Sequence, residues 1–328
     1  MPYALQVPHA GGPDVFERVE VDRPVPGPGQ LLVRVAAAGV NFIETYQRSG
    51  VYAADYPLIP GSEGAGTVEE TGEGVTGFAV GDRVASSQAR GSYAQYMLLD
   101  ADKALPVPDG VDLETAGALP LQGLTAHYLV NDSYRVQAGD TVLTYAGAGG
   151  VGQLLIQLLK LRGATVITTT STAEKAELAR AAGADHVLAY DEVPERVREL
   201  TGGRGVHVVY DGIGKDTFEG SLDALRIRGT LVLFGGASGQ VPPFDLQQLN
   251  AHGSLTVTRP KLNDFLLDVQ ERRGRADELF GLVSDGRLKV AIGERFPLEE
   301  AGAAHAALES RKTTGKVILI PGGGTERG

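Results

Sequence analysis

The stretch Gly147-Ala148-Gly149-Gly150-Val151-Gly152 follows a short apolar run and opens an apolar helical pattern. A Gly-x-Gly-x-x-Gly turn in that setting constrains the fold more than any other feature of the chain. Gly147 allows a tight strand-to-helix turn, Gly149 lets backbone approach a pyrophosphate, and Gly152 lets the helix pack closely on a sheet. The helix N-terminus then faces the phosphates. The chain has 45 glycines, so the motif alone is weak and its context carries the weight. From Asp140 the pattern alternates. Strands are predicted over 141–146, 165–170, 186–189, 206–210, 230–234 and 255–258, and helices over 151–162, 173–182, 195–200, 218–225 and 246–251. This implies an α/β fold, a doubly wound (Rossmann) parallel sheet of six strands with right-handed crossovers.

The preceding region reads differently. Asp22 to Gly29 is Pro/Gly punctuation. Strands follow over 31–35 and 93–99, with short apolar pieces at Thr67-Val68 and Phe78-Ala79-Val80, so the first ~115 residues look β-rich. Residues 113–130 have helical spacing. After Pro260 come a helix over 265–284, a strand over 288–292, a helix over 299–309 and a strand over 316–320. The Rossmann sheet is complete before them, so this tail is expected to return to the β-rich part. The domains expected are 1–118 with 261–328, and 119–260. The glycine-rich end, 322–328, is expected to fray.

Composition removes whole classes of chemistry. With no cysteine in 328 residues, disulfides, thiol nucleophiles and thiolate metal ligands are all excluded. The six histidines are scattered without metal-ligand spacing, and no metal is expected. A net charge of −11 argues against nucleic acid as a partner. No run approaches the ~20 apolar residues of a membrane span, and Met1 to Leu5 carries no basic or apolar leader; a cytoplasmic protein is expected.

A chain that prefers NAD carries an acid near the end of the second strand, about 20 residues after the first glycine. Here that place reads Thr168-Thr169-Thr170-Ser171-Thr172. Hydroxyls accommodate a phosphate that a carboxylate would repel, and Lys175 supplies a positive charge one turn on. Tyr190, at the end of the third strand, is placed beside the adenine-ribose end. The expected cofactor is NADPH, with Lys175 read as its phosphate partner in preference to a solvated helix lysine.

Several further stretches carry a resemblance: Gly39-Val40-Asn41-Phe42-Ile43-Glu44-Thr45-Tyr46-Gln47-Arg48-Ser49-Gly50-Val51-Tyr52, Gly81-Asp82-Arg83-Val84, Gly91-Ser92-Tyr93-Ala94, Leu124-Thr125-Ala126, Val209-Tyr210-Asp211, Gly253 to Pro260 and Leu308-Glu309-Ser310-Arg311. Over nearly its whole length the chain resembles the zinc-independent quinone oxidoreductases (zeta-crystallin-like) of the medium-chain dehydrogenase/reductase superfamily. The resemblance implies a GroES-like catalytic domain beside the Rossmann domain, with the active site in the cleft between them. It also implies NADPH, hydride transfer to small quinones, and a homodimer joined through the edge strand 255–258. The cofactor set it implies is Asn41, Thr125, Gly147, Gly149, Gly150, Val151, Gly152, Thr170, Ser171, Lys175, Tyr190, Gly212, Phe234, Gly235 and Arg311. Two departures stand out. Zinc-dependent relatives carry a cysteine where this chain has Val40-Asn41, and Gly-His-Glu where it has Gly61-Ser62-Glu63, so both zinc sites are expected to be absent. Thr168 and Ser171 also stand where many relatives have glycine.

A quinone needs little carbonyl polarisation, because reduction restores aromaticity. A metal-free site with a few donors then suffices, and the expected catalytic residues are Asn41, Tyr46 and Tyr52, sharing one loop. Either tyrosine would serve equally as an amphipathic wall residue. Arg48 is read as facing solvent and Glu63 as structural. Two other readings stay open: an NADPH-dependent enone or alkenal double-bond reductase, and a non-catalytic NADPH-binding protein of crystallin-like or RNA-binding type.

Overall fold

A computed structural model describes residues 1–322. The expected fraying therefore falls, apart from Gly322, on residues outside the described ones. The chain divides into two compact units, Met1–Leu121 with Arg273–Gly328, and Gln122–Arg272.

The second unit holds a single sheet. Its strands are β8 (Thr141–Thr144), β9 (Thr165–Thr169), β10 (His186–Leu188), β11 (Val206–Asp211), β12 (Leu225–Leu233) and β13 (Thr256–Thr258), in the spatial order β10-β9-β8-β11-β12-β13. Every pairing is parallel. Helices α4 (Gly150–Leu161), α5 (Ala173–Ala181), α6 (Glu195–Leu200), α7 (Phe218–Ala224) and α8 (Gln247–Ala251) make the crossovers. A sheet covered on both faces needs continuous apolar strands. Val142, Leu143, Val166, Ile167, Val208, Val209, Leu231 and Val232 are all fully buried. The order reverses beside β8, which creates the switch point at which such sheets bind ligands, and the glycine turn leads out of that strand.

The first unit contains β1 (Tyr3–Gln6), β2 (Glu17–Glu20), β3 (Gln30–Val40), α1 (Phe42–Ser49), β4 (Gly64–Thr71), β5 (Arg83–Ser86), β6 (Tyr96–Asp100), β7 (Leu105–Pro106) and α2 (Leu113–Ala118). It also contains β14 (Ile292–Pro297), α10 (Ala301–Glu309) and β15 (Lys316–Ile320). The chain passes between the units within α3 (Pro120–Tyr128) and α9 (Val269–Ser284). Seven strands form one sheet in the order β14-β15-β3-β4-β5-β7, with β6 added on β3. The C-terminal tail thus joins the N-terminal sheet, with β15 antiparallel to β3. Tyr3, Leu31, Val33, Tyr93, Met97, Leu99, Leu298 and Leu319 fill its main core.

Several elements differ from the sequence expectation. The apolar piece Phe78-Ala79-Val80 forms no strand: Gly77 and Gly81 flank it at φ 82° and 94°, where a strand cannot continue. The last-but-one strand is 292–297, not 288–292, because its register is set by pairing with β15 from Ile292↔Lys316. Helix α9 begins only after Asp268, whose carboxylate accepts the Glu271 N–H at 2.9 Å. The helical stretch 113–130 is broken at Pro120, which brings no N–H to the preceding turn. Among the described residues no helix is long and apolar enough to cross a membrane.

Candidate functional site

In the second unit, the three motif glycines do different jobs. A Cβ on Gly147 would stand 2.4 Å from Thr168 Oγ1, and one on Gly152 would stand 2.3 Å from the Ala146 carbonyl. Both are demanded by packing within the protein. A Cβ on Gly149 meets only the Ala146 carbonyl, at 3.2 Å, so that glycine leaves its outer side open. The left-handed residue of the turn is Ala146, at φ 56°, not Gly147. Gly149 caps α4, and the N–H groups of Gly150, Val151 and Gly152 in the first turn have no intrahelical acceptor by the geometry of a helix start. A diphosphate fits that open, donor-rich turn. Gln122 lies against it, since a Cβ on Gly150 would meet its carboxamide oxygen at 2.0 Å.

The threonine run after the second strand also separates. Thr168 Oγ1 donates to the Thr144 carbonyl at 2.7 Å, and Thr169 Oγ1 accepts the Ala146 N–H at 3.3 Å. Both are fully buried and hold β9 to the glycine turn. Thr172 caps α5 by accepting the Lys175 N–H at 3.2 Å. Thr170 is buried, its hydroxyl donating to the Thr172 carbonyl at 3.4 Å, and Ser171 is exposed, with half-buried Lys175 one turn on. Tyr190 stacks on Tyr145 at 6.0 Å between centroids.

A buried carboxylate organises the turn after β11. Asp211 accepts from the N–H of Ile213 and Gly214 and from the hydroxyls of Thr217 and Ser221, at 2.8–3.0 Å. Its carbonyl accepts from Phe234 N–H at 2.8 Å and Gly235 N–H at 3.3 Å. Gly212 and Gly235 pack backbone to backbone, a Cβ on Gly235 standing 2.5 Å from the Gly212 carbonyl. These glycines and Phe234 are thus one rigid turn at the ends of β11 and β12. Thr125 is buried on α3.

In the first unit, the segment expected as a loop is largely a helix. Glu44 accepts the Asn41 N–H at 2.9 Å, Gly50 closes the helix at φ 81°, and α1 lies between them. Asn-x-x-Glu and a trailing glycine are readable start and stop signals. Tyr46 is on α1 and Tyr52 two residues past Gly50; their rings meet at 5.2 Å, with Phe42 6.1 Å from Tyr46. The Tyr52 side of this aromatic patch is open, Tyr52 being exposed. Arg48 does not face solvent. It is buried, donating to Glu309 at 2.8 Å, to the Gly11 carbonyl at 3.1 Å and to His305 Nδ1 at 3.3 Å. A guanidinium only donates, so Nδ1 accepts and Nε2–H donates to Tyr93 Oη at 3.0 Å. Burial, and next the Arg48 charge, hold the His305 pKa down at about 3. Arg311 is exposed just beyond α10, in the left-handed region at φ 57°.

Beneath α1 lies a cluster that sequence reasoning missed. Lys316 and Glu63 form an ion pair at 2.5 Å with side chains 1% and 0% exposed. Asn41 joins it, its Oδ1 accepting from Lys316 Nζ at 2.5 Å and its Nδ2 donating to Glu63 at 3.0 Å. Glu63 also accepts the Leu121 N–H at 2.7 Å. Glu44 accepts from both the N–H and the hydroxyl of Ser62, and burial raises its pKa. Gly39 makes room, since a Cβ there would stand 2.1 Å from a Glu63 oxygen and 2.9 Å from Lys316 Cε. Sequence gave Lys316 no signal beyond being one charge at the head of an apolar strand. Among the described residues, no group of three or more His, Cys, Asp or Glu could hold a metal ion.

The chain matches two family descriptions: zinc-binding dehydrogenase over residues 150–267, and alcohol dehydrogenase GroES-like domain over 27–109. It is 46% identical to a quinone oxidoreductase of Pseudomonas aeruginosa, across 97% of this chain and 99% of that protein. It is 43% identical to a 2-haloacrylate reductase of a Burkholderia species, across 98% and 99%. The structure of an Escherichia coli quinone oxidoreductase complexed with NADPH superposes with a TM-score of 0.94 at 42% identity, covering 97% of this chain and all of that one.

Proposed function

The chain belongs to the quinone oxidoreductase family of the medium-chain dehydrogenases/reductases, and on that footing we propose that it is an NADPH-dependent oxidoreductase that passes hydride to small quinones without a metal. The observation that carries this reading is the open glycine turn of the second unit followed by exposed Ser171 and Lys175, with no acid at the second strand end. The first-turn N–H groups of Gly150, Val151 and Gly152 would hold the pyrophosphate. Thr170, Ser171 and Lys175 would take the 2′-phosphate, and Tyr190, backed by Tyr145, would flank the adenosine. The turn of Gly212, Phe234 and Gly235, with Thr125, would support the remainder, and Asn41 and Arg311 would contribute from the first unit. NADPH, when bound, supplies the hydride. The chain's own part at the acceptor falls to Asn41, Tyr46 and Tyr52. Their N–H and hydroxyl groups donate to an oxygen that becomes more negative as the acceptor is reduced, and the aromatic rings exclude water.

A second reading is favoured by the likeness to a 2-haloacrylate reductase. The same donors would then polarise the carbonyl of an activated alkene. A homodimer through β13 belongs to the proposal as well, since that strand is last in its sheet and pairs with β12. NADPH oxidation measured in EDTA, with a quinone, an enone and 2-chloroacrylate side by side, tests the function. Turnover fastest with the quinone is expected. Turnover with the alkenes alone would replace the first reading by the second.

A further inference from the structure

Asn41 stands between two buried charges that permit only one orientation of its amide. An ammonium donates and never accepts, and a carboxylate accepts and does not donate. The carbonyl therefore must face Lys316 and the NH2 must face Glu63, as they do at 2.5 and 3.0 Å. One Nδ2 hydrogen is used by Glu63, and the other has no partner among the described residues. Within this triad the ion pair is sealed, at 1% exposure or less, whereas Asn41 retains 6%. Asn41 is thus the least sealed of the three, at the start of the helix that carries Tyr46.

A buried ion pair is a poor source of stability, because apolar residues of similar volume often do as well or better. Here β3 also gives up a side chain, at Gly39, to admit it. We propose that Lys316, paired with Glu63, is a positioning residue for the acceptor site. It fixes the Asn41 amide and polarises it through the carbonyl, so that the second Nδ2 hydrogen donates to the acceptor oxygen as negative charge builds there. In this arrangement the ammonium acts on the reaction through an amide and never touches the acceptor. The inference rests on the reading that Asn41 faces the acceptor.

The test uses the full chain and the double variant Glu63→Gln/Lys316→Met, which removes both buried charges together and leaves neither unpaired. Its melting temperature should stay near that of the wild type. Its kcat with a graded set of benzoquinones should fall about ten- to a hundredfold, a smaller loss than deleting a donor outright at the severe end. The loss should grow as ring substituents make the quinone more electron-rich, since the oxygen then depends more on its donor. Adding Asn41→Ala to the double variant should cost little more, because both changes remove one device. Wild-type kcat in the double variant, with Asn41→Ala alone impaired, would overturn the proposal. If Asn41→Ala alone is silent with every acceptor, the acceptor-site reading is what has failed. The side-chain amide signals of isotope-labelled asparagine then judge the positioning itself: Asn41 should be shifted and slow to exchange in the wild type and lose both properties in the double variant. An unchanged signal would mean that Lys316 holds nothing in place.

Discussion

The glycine turn of the second unit and the polar cluster beneath α1 are both candidate binding regions, but they are assembled from different parts. The turn is made of backbone. Its donors are the N–H groups of a helix start, its shape comes from glycines within six consecutive residues, and its closest supports are neighbouring strands of one parallel sheet. The cluster is made of side chains drawn from distant points of the chain. Asn41 lies 275 positions from Lys316 and Glu63 lies 253 from it, and they meet only because β15 pairs with β3. The comparison teaches that the first region tolerates changes of side chain but not of backbone shape. The second depends on the balance of two buried charges.

The largest expected effect breaks that balance. Lys316→Met alone leaves Glu63 buried and unpaired and should cost about 3–5 kcal/mol of stability. Denaturant melts of the single and double variants measure it. A single variant as stable as the wild type would mean that Glu63 is neutral when Lys316 is absent.

The turn provides the opposite test. Gly152→Ala drives a Cβ to 2.3 Å from the Ala146 carbonyl and should cost about 1–3 kcal/mol by overpacking, together with NADPH affinity. Gly149→Ala should leave the melting temperature almost unchanged and still weaken NADPH, because its outer side is open. Equal effects on stability would erase the distinction drawn between the two glycines.

Lys175→Ala should weaken NADPH roughly ten- to a hundredfold, the worth of one charge-assisted phosphate contact. NADH should bind nearly as before. Titrations of both cofactors by fluorescence decide it, and parallel weakening would show that Lys175 does not read the phosphate.

The pH dependence of the first unit sharpens the contrast further. His305 has a folded pKa of about 3 against an ordinary 6.5. Between those values the unfolded chain takes up the proton first, so stability is complete above about pH 6.5 and is lost as pH falls towards 3. The slope approaches about 1.4 kcal/mol per pH unit for this one proton. In His305→Gln the acid-side slope should be shallower by that amount in melts at stepped pH.

The smallest change concerns Tyr52. Tyr52→Ala should depress kcat/KM for quinones with little effect on NADPH. Tyr52→Phe should lower kcat only if the hydroxyl donates to the acceptor, and should be nearly silent if the ring only forms a wall.

What could be read from sequence was what local chemistry dictates. The six parallel strands follow from apolar runs separated by helical periodicity, and the threonines from 168 on declare the missing acid by themselves. The start of α1 was equally legible in Asn41-x-x-Glu44 and Gly50, although the segment was expected as a loop. Its side chains were another matter. Arg48 reads as a surface charge on a polar helix face, and only the packing of α10 beside α1, bringing Glu309 and His305 to it, makes it buried. That the hydroxyls of Thr168 and Thr169 are turned inward was likewise decided by β9 lying against β8, which consumes both. Lys316 is the clearest case. Periodicity places it at the start of a strand, but a lysine is stable in an interior only beside its counter-charge, and that counter-charge is supplied by the tertiary pairing of the two ends of the chain. Sequence by itself determined the elements and the backbone-built turn, because both depend on neighbours a few residues away. The tertiary structure alone decided which charges are buried together, because that depends on contacts the chain makes only once it has folded.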